Sequence, residues 1–439
     1  MPTIIGVVFF CCGAYCFLLK EDGLLGLLII ASIFEAASAI DIGNRGIQPY
    51  YVVATFLITR ALINYLLGAR SGKAMPQGAW LLLFGTVAIS SAFVMPAVFA
   101  GIPVYDPKVG IDDGLLIRPP LSFGLNNVAQ AGFLACHIAV AYSVLATKVS
   151  SSKVRRIYLC AFYLVVLILA IQSVCQVTGI PFPHSLILNN PGYALWDAGG
   201  EVSGTRNPGS FSEPSIAGAF LVMYCVGFLA QYLAGKGGGM HLIVSLVATG
   251  LVASGGSLLT LCLFIPLLLV NYFPFRLPWY INIHRSKRLA WVVLLFVTPV
   301  ALAMLSSGYR DALIMNTVSK GDSSSFINRT ASDLYALQLL LRTYCLGVGL
   351  GANRASSLLA TLLSNVGIVG VLLFGGFYIR LFAKLPKEYE WFKWAGFALI
   401  LNMCIGVPDV TMPMLWLPIL LAIQFTTTRP KIREAEFRS

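Results

Sequence analysis

Between residues 157 and 178 the chain reads Ile157-Tyr158-Leu159-Cys160-Ala161-Phe162-Tyr163-Leu164-Val165-Val166-Leu167-Ile168-Leu169-Ala170-Ile171-Gln172-Ser173-Val174-Cys175-Gln176-Val177-Thr178, with no Asp, Glu, Lys or Arg. At about 1.5 Å per residue, a helix over this stretch spans the ~30 Å hydrocarbon layer of a bilayer. Lipid offers no partner to an unpaired backbone N–H or C=O, so a run of this kind has to be a helix. Lys153, Arg155 and Arg156 stand just before it and give it one marked, basic end.

Similar runs recur outward in both directions, near 3–19, 23–40, 50–67, 78–100, 125–147, 214–234, 241–253, 257–274, 290–306, 357–382, 394–407 and 411–426. The expected fold is an all-α polytopic membrane protein of about 12–14 transmembrane helices, one transmembrane domain over 1–439. Composition agrees: 58% of the 439 residues are hydrophobic and 11% charged. A soluble fold carries about 25% charged residues, so this chain has too few to clothe a water-facing surface. The first run lacks a basic leader and a small-residue cleavage site and reads as a retained helix. Two pairs of runs, meeting at Ala253-Ser254-Gly255-Gly256-Ser257 and at Val407-Pro408-Asp409, are short enough to be partly re-entrant.

Basic residues concentrate in the connections 68–77, 148–156, 275–289 and 383–393 and in the tail 429–439. Counting alternate connections puts roughly twenty on one face and about nine on the other, which makes the crowded face cytoplasmic. The net charge of +12 is then a topological signal and implies no nucleic-acid partner. Three longer segments, 101–124, 179–213 and 307–356, fall on the external side and supply most of the material for a site.

Those external segments keep arginines where the positive-inside tendency disfavours them: Arg118, Arg206, Arg310, Arg329, Arg342 and Arg354, with Arg45 in a shorter turn. Lysine is scarce there, with Lys108 and Lys320. Guanidinium offers planar, paired donors that match phosphate, so the set suits a diphosphate whose lipid tail stays in the membrane. Anchoring of helix ends among the headgroups is the plainer reading of any one of them.

The stretch Gly204-Thr205-Arg206-Asn207-Pro208-Gly209-Ser210-Phe211-Ser212-Glu213-Pro214-Ser215 is denser still. Ser212 reads as an N-cap and Pro214 as a first-turn residue. Glu213 then stands at a helix mouth, where unpaired amides favour an anion. It can serve as a general base, as an arginine's partner or as a dipole cap. Arg329 precedes an interfacial helix expected over 335–346, followed by Leu346-Gly347-Val348-Gly349-Leu350-Gly351-Ala352-Asn353-Arg354. Glycines at alternate positions permit close backbone approach, but the G-K-[ST] ending of a nucleotide loop is missing.

Within the spans, Glu35 is placed to pair with Arg45, and Arg60 is near enough to an end to snorkel. No chain of mid-membrane carboxylates suggests a proton-coupled transporter. The ten cysteines form no C-x-x-C pair, and His137, His184, His241 and His284 lie far apart, so no metal site or cofactor is expected.

Taken together, these passages resemble the bacterial O-antigen and exopolysaccharide polymerases (Wzy type) and the related O-antigen ligases, membrane glycosyltransferases of the C-type fold class. Arg206 with Phe211-Ser212-Glu213-Pro214-Ser215 is similar to the family's arginine and "F-S-E-P-S" loop. Arg329 is similar to the arginine of its large external loop. Leu346-Gly347-Val348-Gly349-Leu350-Gly351 and Asn365-Val366-Gly367-Ile368-Val369-Gly370 resemble its closing "G-x-G-x-G … N-x-G-x-x-G" pattern. The likeness covers about 200–390; the residues before it match in hydropathy alone.

The resemblance implies an enzyme of the bacterial inner membrane that polymerises undecaprenyl-diphosphate-linked oligosaccharide repeat units on the periplasmic side. No metal or other cofactor is implied. Membrane lipids, and a chain-length regulator, are the further partners. Arg206 and Arg329 would stabilise the leaving diphosphate, with Arg354, Arg118 and Arg310 as substrate-binding helpers, and Glu213 would deprotonate the acceptor hydroxyl. The ligases place a histidine near the position of Ser356, which favours polymerase over ligase here. The serine-arginine element frequent between the eighth and ninth spans is reduced to Ser254-Gly255-Gly256-Ser257. A lipid-linked oligosaccharide flippase is the rival from outside enzymology.

Overall fold

The computed structural model describes residues 1–20, 23–68, 75, 77–106, 118–147, 149–193, 207–272, 288, 290–292, 294 and 324–427. Arg206, Arg310, most of the run near 290–306 and the tail 429–439 lie outside them. Besides a single turn at His184–Ile187 and a 3-10 turn at Lys387–Tyr389, the helices among the described residues are α1 (Ile4–Leu19), α2 (Gly23–Ala31), α3 (Pro49–Leu66), α4 (Gly78–Val98), α5 (Leu125–Ala146), α6 (Ser151–Thr178), α7 (Pro214–Leu233), α8 (Gly239–Val252), α9 (Gly255–Tyr272), α10 (Ser324–Arg342), α11 (Leu358–Ala383), α12 (Glu390–Gly406) and α13 (Pro413–Thr427). Among the described residues the one sheet is a short antiparallel hairpin, β1 (Ile40–Ile42) and β2 (Arg45–Ile47). Six of these helices, α4, α5, α6, α7, α9 and α11, are long and apolar enough to cross a membrane; α1, α8 and α13 are apolar but shorter.

Where the structure departs from hydropathy, polar groups account for it. Helix α6 begins at Ser151, ahead of the apolar run, because Ser150 caps it by accepting from the Lys153 amide and its basic first turns are free to project past the hydrocarbon. The expected span 23–40 is helical only to Ala31. Beyond it the Ser32 hydroxyl donates to the Ile29 carbonyl, the Ser38 amide to Asn189 Oδ1 and the Ala39 amide to the Ile47 carbonyl. Loops thus satisfy this backbone, and no further helical turns are needed. Helix α10 runs over 324–342 rather than 335–346, so Arg329 lies inside it and not ahead of it.

Helix α7 is the axis of the bundle. Within its apolar window 94% is buried inside the protein, against 28–50% in the other five candidate spans. Its neighbours are α8, α9 and α12. Whatever stands at its N-terminal mouth is therefore central to one end of the molecule.

The glycine pattern builds a backbone-to-backbone joint. Helix α11 is interrupted at Gly367 (φ 74°), which strands carbonyls in the preceding turn. The Val348 amide donates to the Ser364 carbonyl at 2.7 Å and the Gly349 amide to the Asn365 carbonyl at 2.9 Å. Asn365 locks the joint: its Oδ1 accepts from the amides of Ala352 (3.0 Å) and Asn353 (2.9 Å), and its Nδ2 donates to the carbonyls of Asn353 and Thr361. Gly347 thus approaches the break in α11, whereas Gly349 lies against Ser91 and Pro96 of α4 and Gly351 against Asn126 and Gln130 of α5.

The two ends of the bundle differ in chemistry. At one end Lys236 donates to the carbonyls of Lys387 and Glu388, Arg288 to that of Leu233, and Tyr389 stacks on Phe425. The mouth of α7, the loops after α2 and the connection between α12 and α13 share the opposite end.

Candidate functional site

Glu213 is the N-cap residue of α7, with extended backbone (φ −138°, ψ 150°) and Pro214 following it in the first turn. Ser212, expected in the cap position, is displaced by one residue. The Glu213 carboxylate makes no capping hydrogen bond to the helix amides. Its Oε2 instead accepts from the Ser215 hydroxyl at 2.9 Å and lies 3.5 Å from Arg329 Nη2. Glu213 is thus the partner of an arginine and not a cap of the helix amides. Both side chains are about a third exposed (37% and 36%), so a solute at this end of the bundle can reach the pair.

Arg329 is held by its helix and by the segment after the glycine loop. The Ser356 hydroxyl donates to the Arg329 carbonyl at 3.2 Å. Asp333 Oδ1, one turn along α10, accepts from the amides of Ser356 (2.7 Å) and Ser357 (3.2 Å), just before α11 starts. Ser357 then caps α11 by accepting from the Ala360 amide. Gly406, the last residue of α12, lies so close to Arg329 that a Cβ there would be 3.3 Å from Nη1.

Arg354 belongs to the same end. Its amide donates to the Tyr105 carbonyl, and its guanidinium lies near enough to Asp409 and Tyr193 to favour their ionised forms. Asp409 sits in the connection between α12 and α13, where its Oδ1 accepts from the amide (2.7 Å) and hydroxyl (2.8 Å) of Thr411. Burial pushes its carboxyl up, and the Thr411 hydrogen bonds and Arg354 oppose that shift. The Arg329 and Arg354 segments are therefore joined through Ser356. Arg118 is exposed, and its guanidinium lies over the rings of Tyr335 (4.6 Å) and Tyr105 (5.5 Å). Arg206 and Arg310 fall outside the described residues.

Glu35 does not turn to Arg45, which is exposed in β2. It is almost fully buried, and its two carboxylate oxygens accept from the Ser212 amide (2.8 Å) and the Ser212 hydroxyl (3.2 Å). Tyr193 stands against it, and Gln48 Nε2 bridges the Glu35 carbonyl (2.8 Å) and the Tyr193 hydroxyl (2.9 Å). Burial raises the Glu35 carboxyl from 4.5 to about 7, with the Ser212 hydrogen bonds holding it back.

Sequence set Glu35 against Arg45 and Asp409 at a re-entrant join, giving neither a place in the site, and did not single out Tyr193. A polar break at Ser32 and Glu35, and the Val407-Pro408-Asp409 interruption, were the available signals. No family model, curated protein or solved structure matches the chain.

Proposed function

We propose that the chain is a membrane glycosyltransferase of the C-type class that polymerises undecaprenyl-diphosphate-linked oligosaccharide repeat units, working at the periplasmic face of the bacterial inner membrane. On this reading the transmembrane spans are those the sequence predicts, the shorter apolar helices among them, and the basic end of the bundle is cytoplasmic. The observation that carries the proposal is the Glu213–Arg329 pair, about a third exposed at the mouth of the central helix, with Arg354 on an adjoining segment.

The pair suits a diphosphate. An ion pair this exposed is worth under about 1 kcal/mol, so an incoming diphosphate can take Arg329 from Glu213 at little cost. The released carboxylate is then a free base beside the bound donor. The acceptor hydroxyl oxygen bonds to the anomeric carbon and its proton passes to Glu213. The bond from that carbon to the diphosphate oxygen breaks, and undecaprenyl diphosphate leaves with the electron pair. Arg329, with Arg354 and Arg206 as further donors, meets the charge that grows on the leaving group. This is the electrostatic role that a metal ion fills in other phosphate chemistry.

Deletion of the gene separates the readings. Loss of a polymerase leaves single-repeat products and strands lipid-linked units outside. Loss of a ligase leaves long chains on the carrier lipid, and loss of a flippase traps units inside; either of these outcomes would overturn the proposal.

A further inference from the structure

We infer that Glu35 is a positioning residue for Glu213: by gripping the amide and hydroxyl of Ser212, it fixes the corner from which the Glu213 carboxylate faces Arg329. The inference rests on the reading of Glu213 and Arg329 as the working pair, and adds a residue that neither composition nor motif assigns.

The geometry is that of a keystone. Glu35 lies outside any helix, beyond the end of α2, and three loops close around it. The Ser210 hydroxyl donates to the Ile33 carbonyl at 2.6 Å, and the Ala36 amide to the Ser210 carbonyl at 3.3 Å. The Asn190 amide donates to the Ala36 carbonyl at 3.1 Å. Both Glu35 oxygens accept from Ser212, directly before Glu213, and the carboxylate is also hydrogen-bonded by the Tyr193 hydroxyl. A buried carboxylate is costly, and a neutral side chain would fill the space without that penalty. Two acceptors on one planar group serve the Ser212 amide and hydroxyl together with the Tyr193 hydroxyl. The ionisable groups facing Glu35 are Glu213 on α7 and Tyr193 from the loop after α6; Asp409 and Arg354 lie behind Tyr193.

The test is chain elongation in cells lacking the chromosomal gene and making their own lipid-linked repeat unit, with each variant's abundance in the membrane measured alongside. Glu35→Gln keeps an acceptor for the Ser212 amide and a polar partner for its hydroxyl, and is expected to elongate within a few-fold of the wild type. Glu35→Ala removes both contacts and Glu35→Asp draws them back by a methylene. Each is expected to slow elongation by about 10- to 100-fold, the scale of an ångström-sized misplacement. In a Glu213→Gln background, Glu35→Ala is expected to add no further loss, because the effect travels through Glu213. Wild-type elongation in both the Ala and Asp variants would overturn the inference. So would an independent, additive loss in the double variant, or absence of both variants from the membrane, which would make Glu35 a folding residue. If Glu213→Gln and Arg329→Ala themselves elongate normally, the proposed function fails, whereas their loss beside an indifferent Glu35 removes this inference alone.

Discussion

Gly347 and Gly367 meet backbone against backbone: a Cβ on Gly347 would lie 2.9 Å from the Gly367 nitrogen and 2.6 Å from the Asn365 carbonyl atoms. Both residues have left-handed backbone, φ 83° and 74°. An alanine at either position carries about 1–3 kcal/mol of backbone strain, most at Gly367, whose ψ of −174° is essentially a glycine conformation, and the clash adds to it. Gly347→Ala and Gly367→Ala are therefore expected to lower the thermal unfolding temperature in detergent. Gly375 is the control within the same helix. Nothing lies within 4 Å of a Cβ there, so Gly375→Ala is expected to be neutral or stabilising by about 0.5–1 kcal/mol. Equal effects at all three positions would contradict the joint.

Glu35 makes stability depend on pH. Its folded value of about 7 lies above the ordinary 4.5, so folding favours the neutral carboxyl. The contribution is complete below about pH 4.5 and is lost as pH rises through about 7. Unfolding temperatures measured from pH 5 to 8 are expected to fall across that range in the wild type and to flatten in Glu35→Gln. A pH trend of equal slope in the two proteins would remove Glu35 as its source.

Arg118 is expected to behave as a strut. Its cation lies across two tyrosine rings, a contact worth on the order of 0.5–1 kcal/mol where exposed. Arg118→Ala should cost about that much stability and reduce elongation only a few-fold, well short of Arg329→Ala. A loss as deep as that of Arg329→Ala would return Arg118 to the substrate.

Much of the fold was legible because hydrocarbon enforces it. Helix ends such as Gly78, Leu125 and Pro214 follow from apolar length and from a proline in the first turn. The errors share one cause. The run 23–40 is apolar enough to continue, but loops from distant parts of the chain satisfy the backbone after Ala31, and a window of hydropathy carries no knowledge of them. Helix α10 begins early because its first turns, with Asn328, Arg329 and Asp333, are polar and pack by specific hydrogen bonds rather than by burial of oil.

The site was half legible. Glu213 is marked by its place before a proline at a helix mouth, and the arginines by their rarity on the face opposite the basic connections. Nothing local to Arg329 names Glu213 as its partner, since that pairing is made when α7 and α10 are brought to one end of the bundle. Glu35 and Asp409 gain their significance in the same way, from Ser212 and from Arg354.

The central claim is that Arg329 grips a phosphorylated lipid. The direct measurement is binding of undecaprenyl diphosphate to the purified full chain in lipid nanodiscs, comparing the wild type with Arg329→Ala and Arg329→Lys. Charge-assisted hydrogen bonds of this kind contribute about 1.5–3 kcal/mol, so the alanine variant should bind roughly 10- to 100-fold more weakly. The lysine variant should recover only part of that, because a point charge lacks the guanidinium fork. Equal affinity in all three proteins would contradict the account.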